Sequence, residues 1–143
     1  MTTADYTAID VGDEAPGVVV HFTLDEVKSF LSIQGQQNRE SRFTNPDVAA
    51  REGFGAKAVV PGRMGLAYLA RALKEWLPEG RIAKLDVVFR SPTVQNTMHR
   101  AGAIVTDRSE KDGQVVLELD VYLETEDGQR PQRGAATVVL PRQ

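Results

Sequence analysis

Two histidines, His21 and His99, stand far apart in the chain, and cysteine is absent. Those counts exclude a three-histidine metal site, a thiolate zinc site, disulfides and a catalytic cysteine, and leave few candidates for a nucleophilic triad. The residues able to do chemistry gather instead in one polar run, Gln34-Gly-Gln-Gln-Asn-Arg-Glu-Ser-Arg-Phe-Thr-Asn45. Its amides Gln36, Gln37 and Asn38 suit the holding of a water or a polar substrate group. Glu40 and Asp47 are the nearest carboxylates, the residue type needed for general acid–base work. Glu40 falls in an exposed loop, and Asp47 falls in the first turn of a short helix, where negative charge complements the helix dipole. Residues 34–100 hold eleven Lys/Arg against six Asp/Glu, a local charge of +5, while the rest of the chain carries −8 and the whole −3. That excess is either ordinary solvated surface or, carried by Arg39, Arg42, Lys57 and Arg63, a mildly basic entrance for an anionic ligand. His21, alternating with Val20 and Phe22, is a strand residue, and His99 near the start of another strand is structural.

The elements that must hold this run follow from capping residues and hydropathic period. Gly17 to Phe22 is a short β-branched strand. Thr23 with Glu26 makes a capping box that opens a helix through about Leu31, with Val27, Phe30 and Leu31 as its apolar stripe. The polar run is then a long loop, a placement that favours function over scaffolding. Asn45 and Pro46 open a short helix closed by Gly53. After Pro61, the residues Leu66, Leu69, Ala70, Leu73, Trp76 and Leu77 repeat at helical spacing, widened by Met64, Ala67 and Ala72, which predicts a long and largely buried helix. Beyond Gly80 the period switches to 2. Leu85, Val87 and Phe89 alternate with polar neighbours, and so do Val115, Leu117, Leu119, Val121 and Leu123. Turn signals at Glu110–Gly113 and Glu126–Gly128 join strands as hairpins, and the last strand runs through Leu140. The order predicts one α+β domain over 1–143: a long central helix wrapped by a curved antiparallel sheet. The Val115–Leu123 alternation is long for an exposed edge, which predicts dimerisation.

Composition sets outer bounds. The 143 residues suit a single domain, and 41% hydrophobic with 26% charged residues suits a folded water-facing chain. A pI near 5.4 argues against a nucleic-acid partner, and no apolar run approaches the length of a membrane span. The N-terminal residues lack the basic and apolar regions of a signal peptide, so a cytoplasmic location is expected.

Three segments in order, Phe30-Leu-Ser-Ile-Gln-Gly-Gln-Gln-Asn38, Asn45-Pro-Asp-Val-Ala-Ala-Arg-Glu-Gly-Phe-Gly55 and Val59-Val-Pro-Gly-Arg-Met64, resemble the MaoC-like (R)-specific enoyl hydratase/dehydratase pattern of the hot-dog fold. Val88-Phe-Arg-Ser-Pro92 and Gly134-Ala-Ala-Thr-Val-Val-Leu140 resemble the same family's strand signatures, so the likeness spans roughly residues 10–140. The resemblance implies the hot-dog fold and water addition or elimination across the α,β-bond of an acyl thioester carried by coenzyme A or an acyl-carrier protein, with no cofactor or metal. It implies a homodimer, or a heterodimer with a MaoC-like homologue.

The family's loop reads Ser-Gly-Asp-x-Asn-Pro-x-His, and a glycine amide at the central helix start binds the thioester carbonyl. Carried over, Gly35 matches the loop glycine and Asn38 the asparagine, but Gln36 stands at the aspartate position. The histidine position falls on Ser41 by direct spacing, or on Phe43 counting back from Asn45-Pro46. Gly62 is the matching helix-start glycine. The resemblance thus implies Gln36, Glu40, Ser41 and Gly62 as the catalytic set, with Asn38, Arg39, Arg63 and Met64 about the substrate. An amide accepts no proton near neutral pH, and losing a general base costs ~10²–10⁴ in rate. Three functions remain open: a hydratase/dehydratase with an altered loop, a non-catalytic acyl-binding subunit beside an active MaoC-like partner, and a thioesterase using Glu40 or Asp47.

Overall fold

The structure, a computed structural model, describes residues 6–141, with the side chain of Thr7 left aside. After one 3-10 turn at Tyr6–Ala8 come β1 (Val18–His21), α1 (Leu24–Ser32), α2 (Pro46–Arg51) and α3 (Gly62–Trp76). Four strands follow: β2 (Arg81–Phe89), β3 (Met98–Lys111), β4 (Gln114–Thr125) and β5 (Gln132–Leu140). All strand pairs are antiparallel, in the order β1-β3-β4-β5-β2.

Local chemistry accounts for the element boundaries. Thr23 Oγ1 accepts from the Glu26 amide at 3.2 Å and caps α1, an interaction worth about 1 kcal/mol. Asn45 Oδ1 accepts from the Asp47 amide at 2.9 Å and caps α2, with Pro46 at its first position. Asp112 and Gly113 take φ values of 55° and 78°, the twisted two-residue turn that closes the β3–β4 hairpin.

The core lies between α3 and the sheet. Leu69, Ala72 and Leu73 of α3 share one buried cluster with Ala101, Ala103 and Val105 of β3 and the inward face of β4. Leu117, Leu119, Val121 and Leu123 are each no more than 1% exposed. Each such side chain contributes roughly 1.5–3 kcal/mol through burial.

β3, β4 and β5 form an antiparallel meander, while β2 crosses the fold and pairs with β5, from Arg81 opposite Val139 to Phe89 opposite Gln132. Two expectations are corrected. β4 is the central strand, paired on both sides within the chain. Its long apolar alternation is therefore satisfied by β3, β5 and α3, and carries no argument for dimerisation. Finally, α3 is amphipathic and only partly buried, since Arg63, Ala67, Arg71, Lys74 and Glu75 face outward. Its inward face alone meets the sheet, which covers one side of a helix and no more.

Candidate functional site

The segment before α3 is fixed by a buried glutamine amide. Gln95, 3% exposed, donates from Nε2 to the Phe43 carbonyl at 2.7 Å and the Val59 carbonyl at 3.1 Å. The Val60 amide donates to the Thr93 carbonyl at 2.7 Å, and the Val59 amide to the Arg42 carbonyl at 2.9 Å. The end of the polar loop, the α3 lead-in and the β2–β3 connection are thereby tied to one another. Pro61 brings no side-chain cap to α3; the Met64 amide donates to the Pro61 carbonyl at 3.0 Å, which leaves the Gly62 and Arg63 amides as the donors open to other partners.

A cavity of about 380 Å³ opens at this helix start, lined by Gly62, Val60, Phe89, Thr93, Gln132 and the Arg42–Phe43 wall, with Phe54 and Arg90 at its sides. A Cβ on Gly62 would lie 2.5 Å from the Phe89 ring, so the bare glycine lets that ring close over the helix start. Arg42 sits 4.9 Å from the Phe54 ring centroid and pairs with Glu52 at 2.8 Å, both side chains being substantially solvent-exposed. The stacking holds the guanidinium along the cavity rim. From β5, Gln132 donates Nε2 to the Gly62 carbonyl at 3.0 Å. None of the described residues lining this cavity is a carboxylate or an imidazole. The arrangement can bind a carbonyl at a helix N-terminus, where backbone donors and the dipole favour developing negative charge, but its lining supplies no proton acceptor.

A second cavity, of about 430 Å³, lies across the Arg42–Phe43 wall and is lined by Gln36, Arg39, Glu40, Ser41, Val48 and Leu31, among others. It gathers three of the four residues expected to be catalytic, whereas Gly62 lines the other cavity. Glu40 accepts from Asn45 Nδ2 at 2.6 Å. Ser41 is a turn residue: its hydroxyl accepts from the Phe43 amide at 3.2 Å, and its amide donates to Thr44 Oγ1 at 3.0 Å. Gln36 and Asn38 are exposed. Arg63 points away from the helix-start cavity and donates to Gln34 Oε1 at 3.1 Å. Met64, 5% exposed, belongs to the core cluster. Lys57 lines two other depressions of the surface and neither of these cavities.

His99 is buried in the core side of β3. Its Nδ1 lies 2.9 Å from the Thr97 carbonyl, and its ring meets Phe22 edge-on at 5.3 Å. Burial pushes the imidazole below its ordinary 6.5, against a smaller opposing effect of the Thr97 hydrogen bond. Among the described residues, no group of His, Asp and Glu has the arrangement of a metal site.

Gln95 and Gln132 are the polar residues that the sequence reading passed over. Each is a lone amide beside apolar or turn residues, and no spacing rule marks it. Pro131 immediately before Gln132 is the one local hint of a fixed strand start.

This architecture is the hot-dog fold, a long helix held in a curved antiparallel sheet. An (R)-hydratase from A. caviae involved in PHA biosynthesis matches with a TM-score of 0.79 at 24% identity, over 94% of this chain and 98% of that one. A MaoC-like dehydratase from Rhodospirillum rubrum matches with a TM-score of 0.81 at 18% identity, over 99% of both chains. A chain of the ChsH1–ChsH2 complex from Mycobacterium tuberculosis matches with a TM-score of 0.73 at 16% identity, over 92% of this chain and 98% of that one. No family-level sequence model matches the chain. No curated relative matches it by sequence. The likeness is one of fold.

Proposed function

We propose that the protein binds acyl thioesters at the start of α3 and acts as the thioester-binding subunit of a MaoC-like hydratase/dehydratase assembly. The observation that carries this reading is the lining of the 380 Å³ cavity: a helix N-terminus with Gly62 and no carboxylate or imidazole beside it. A carbonyl oxygen is the ligand group such a site suits. The missing proton-transfer pair is then the contribution of a partner chain, an arrangement in keeping with the two-chain complex among the structural neighbours.

The test is direct. A saturating acyl-coenzyme A or acyl-carrier thioester, at a hundred times its Kd, stabilises the fold by about 2.7 kcal/mol, roughly a 10 °C rise in Tm for a domain of this size. The purified chain alone should leave crotonyl thioesters unhydrated. Hydration by the chain alone at ordinary rates, about 1–10³ s⁻¹, overturns the subunit reading.

A second reading rests on the other cavity. Gln36, Glu40 and Ser41 meet there beside a wall shared with the helix-start cavity, which favours a hydratase whose base has moved to Glu40. Loss of residual activity in Glu40→Gln is the signature of that alternative.

A further inference from the structure

Of the four buried polar side chains among the described residues, three lie in one short stretch: Thr93, Gln95 and His99. Residues 93–97 of this stretch form a strap between β2 and β3 that holds one wall of the helix-start cavity. Thr93 lines the cavity, and its carbonyl accepts from the Val60 amide. The Gln95 amide donates to the Ala58 carbonyl at 2.9 Å, and its side chain holds the carbonyls of Phe43 and Val59, two more lining residues. Asn96, in the left-handed region at φ 58°, donates its amide to the Phe22 carbonyl at 2.8 Å.

His99 sits at the foot of the strap. The Thr97 carbonyl beside Nδ1 can only accept, so Nδ1 carries the proton of the neutral ring and Nε2 is the atom left to take a second. Nε2 makes no hydrogen bond among the described residues. The Phe22 ring covers the imidazole edge-on and also meets Tyr68 of α3 at 5.5 Å. Opposite His99 in the ladders stand Val20 of β1 and Thr125 of β4, whose hydroxyl donates to the exposed Asp127 carboxylate. The next residues along these strands, His21, Arg100 and Glu124, alternate to the other face of the sheet. Burial holds the ring neutral, with no contribution from a charged side chain among the described residues.

A second proton would leave an imidazolium in this pocket without water, which is costly. Water reaches the ring by displacing either Phe22 or the strap. The Asn96–Phe22 hydrogen bond ties those two together, so either movement breaks it. The ladder that follows His99 in β3 is paired on both sides and yields only with the sheet. The strap is thus the part that opens at lower free energy. We infer that it is a proton-operated latch on the helix-start cavity: a second proton on His99 frees residues 93–97 from Phe22, Val59 and Phe43, and the cavity loses the wall they hold. The latch acts on whatever ligand the cavity takes and stands apart from the thioester reading.

Hydrogen exchange followed by NMR from about pH 7.5 to about pH 5, with intrinsic rates removed, reads this opening directly. The Val60, Gln95 and Asn96 amides should be less protected than those of Leu119 and Val121 in β4 at every pH. Opening takes up one proton, so their protection should fall by up to about tenfold per pH unit below the ordinary histidine value of 6.5. His99→Gln should remove that slope. Protection at these amides that does not change with pH overturns the inference, as does a slope that survives in His99→Gln. Protection equal to that of β4 throughout also overturns it, because the strap would then open only with the whole fold. Should His99→Gln not fold, the wild-type profile decides alone.

Discussion

Gly134→Ala should be among the most damaging single-methyl additions to this fold. Gly134 sits in β5 between Val87 of β2 and Val121 of β4. A Cβ there would lie 1.9 Å from the Asp86 carbonyl oxygen and 2.7 Å from the Val87 Cα, where ordinary contact begins at 3.4 Å. The obstacle is backbone, so no rotamer change relieves it, and β2 must move outward by about 1.5 Å, the difference between 3.4 and 1.9 Å. Such a shift stretches the ladder around Asp86–Val88. Two weakened hydrogen bonds at about 0.5–1.5 kcal/mol each, with an overpacking cost of ~1–3 kcal/mol, give a destabilisation near 4 kcal/mol. That corresponds to a fall in Tm of roughly 14 °C by calorimetry. Ala135→Ser, at the exposed neighbouring position, serves as the control and should change stability by less than ~0.5 kcal/mol. A Gly134→Ala protein melting within 2 °C of wild type, about 0.5 kcal/mol, would refute the packing argument.

Acid should weaken the fold through His99. Its folded-state pKa lies below the ordinary 6.5, so the folded protein binds fewer protons than the unfolded chain in that window. The stabilisation is complete above about 6.5 and is lost as pH falls through the folded value; urea midpoints at stepped pH should show it, and His99→Gln should flatten the slope. Met64→Ala empties a core position and should cost about 2–5 kcal/mol in urea unfolding. Glu40→Gln alters an exposed carboxylate whose recorded partner is Asn45, and should move stability by less than ~0.5 kcal/mol. A tenfold loss of residual hydration in Glu40→Gln would instead identify a relocated base.

The sequence reading located α1, α2, α3 and the two hairpins because those signals are local. Thr23, Asn45-Pro46 and Gly113 act on backbone within a few residues of themselves. The partner of β2 was not legible, since an alternating strand carries no mark of which neighbour it will choose. Pairing Phe89 with Gln132 spans most of the second half of the chain. The same limit explains the site. Gly62 stood out through the family resemblance, as the glycine matching the family's helix start. Gln132 reaches Gly62 only through tertiary folding, and nothing around it in sequence announces a buried amide. The loop residues Gln36, Glu40 and Ser41 lie close in sequence and line one cavity, but their separation from Gly62 by the Arg42–Phe43 wall is a property of packing alone.

The strand order has a bearing on how firmly the cavity is held shut. β1 and β2 are the two margins of the sheet, each with a neighbouring strand on one side only among the described residues. Amide hydrogens in such strands exchange with solvent through small local openings, at lower free energy than those of β4. Phe89 and Arg90, which form one side of the helix-start cavity, stand at the end of β2. The cavity therefore borrows a wall from the part of the fold that opens most readily. Its apparent affinity is the intrinsic affinity multiplied by the fraction of molecules with that wall in place. An occupant packed against both Phe89 and the start of α3 would fasten the sheet margin to the central helix, and slowed exchange at residues 87–90 would record that fastening.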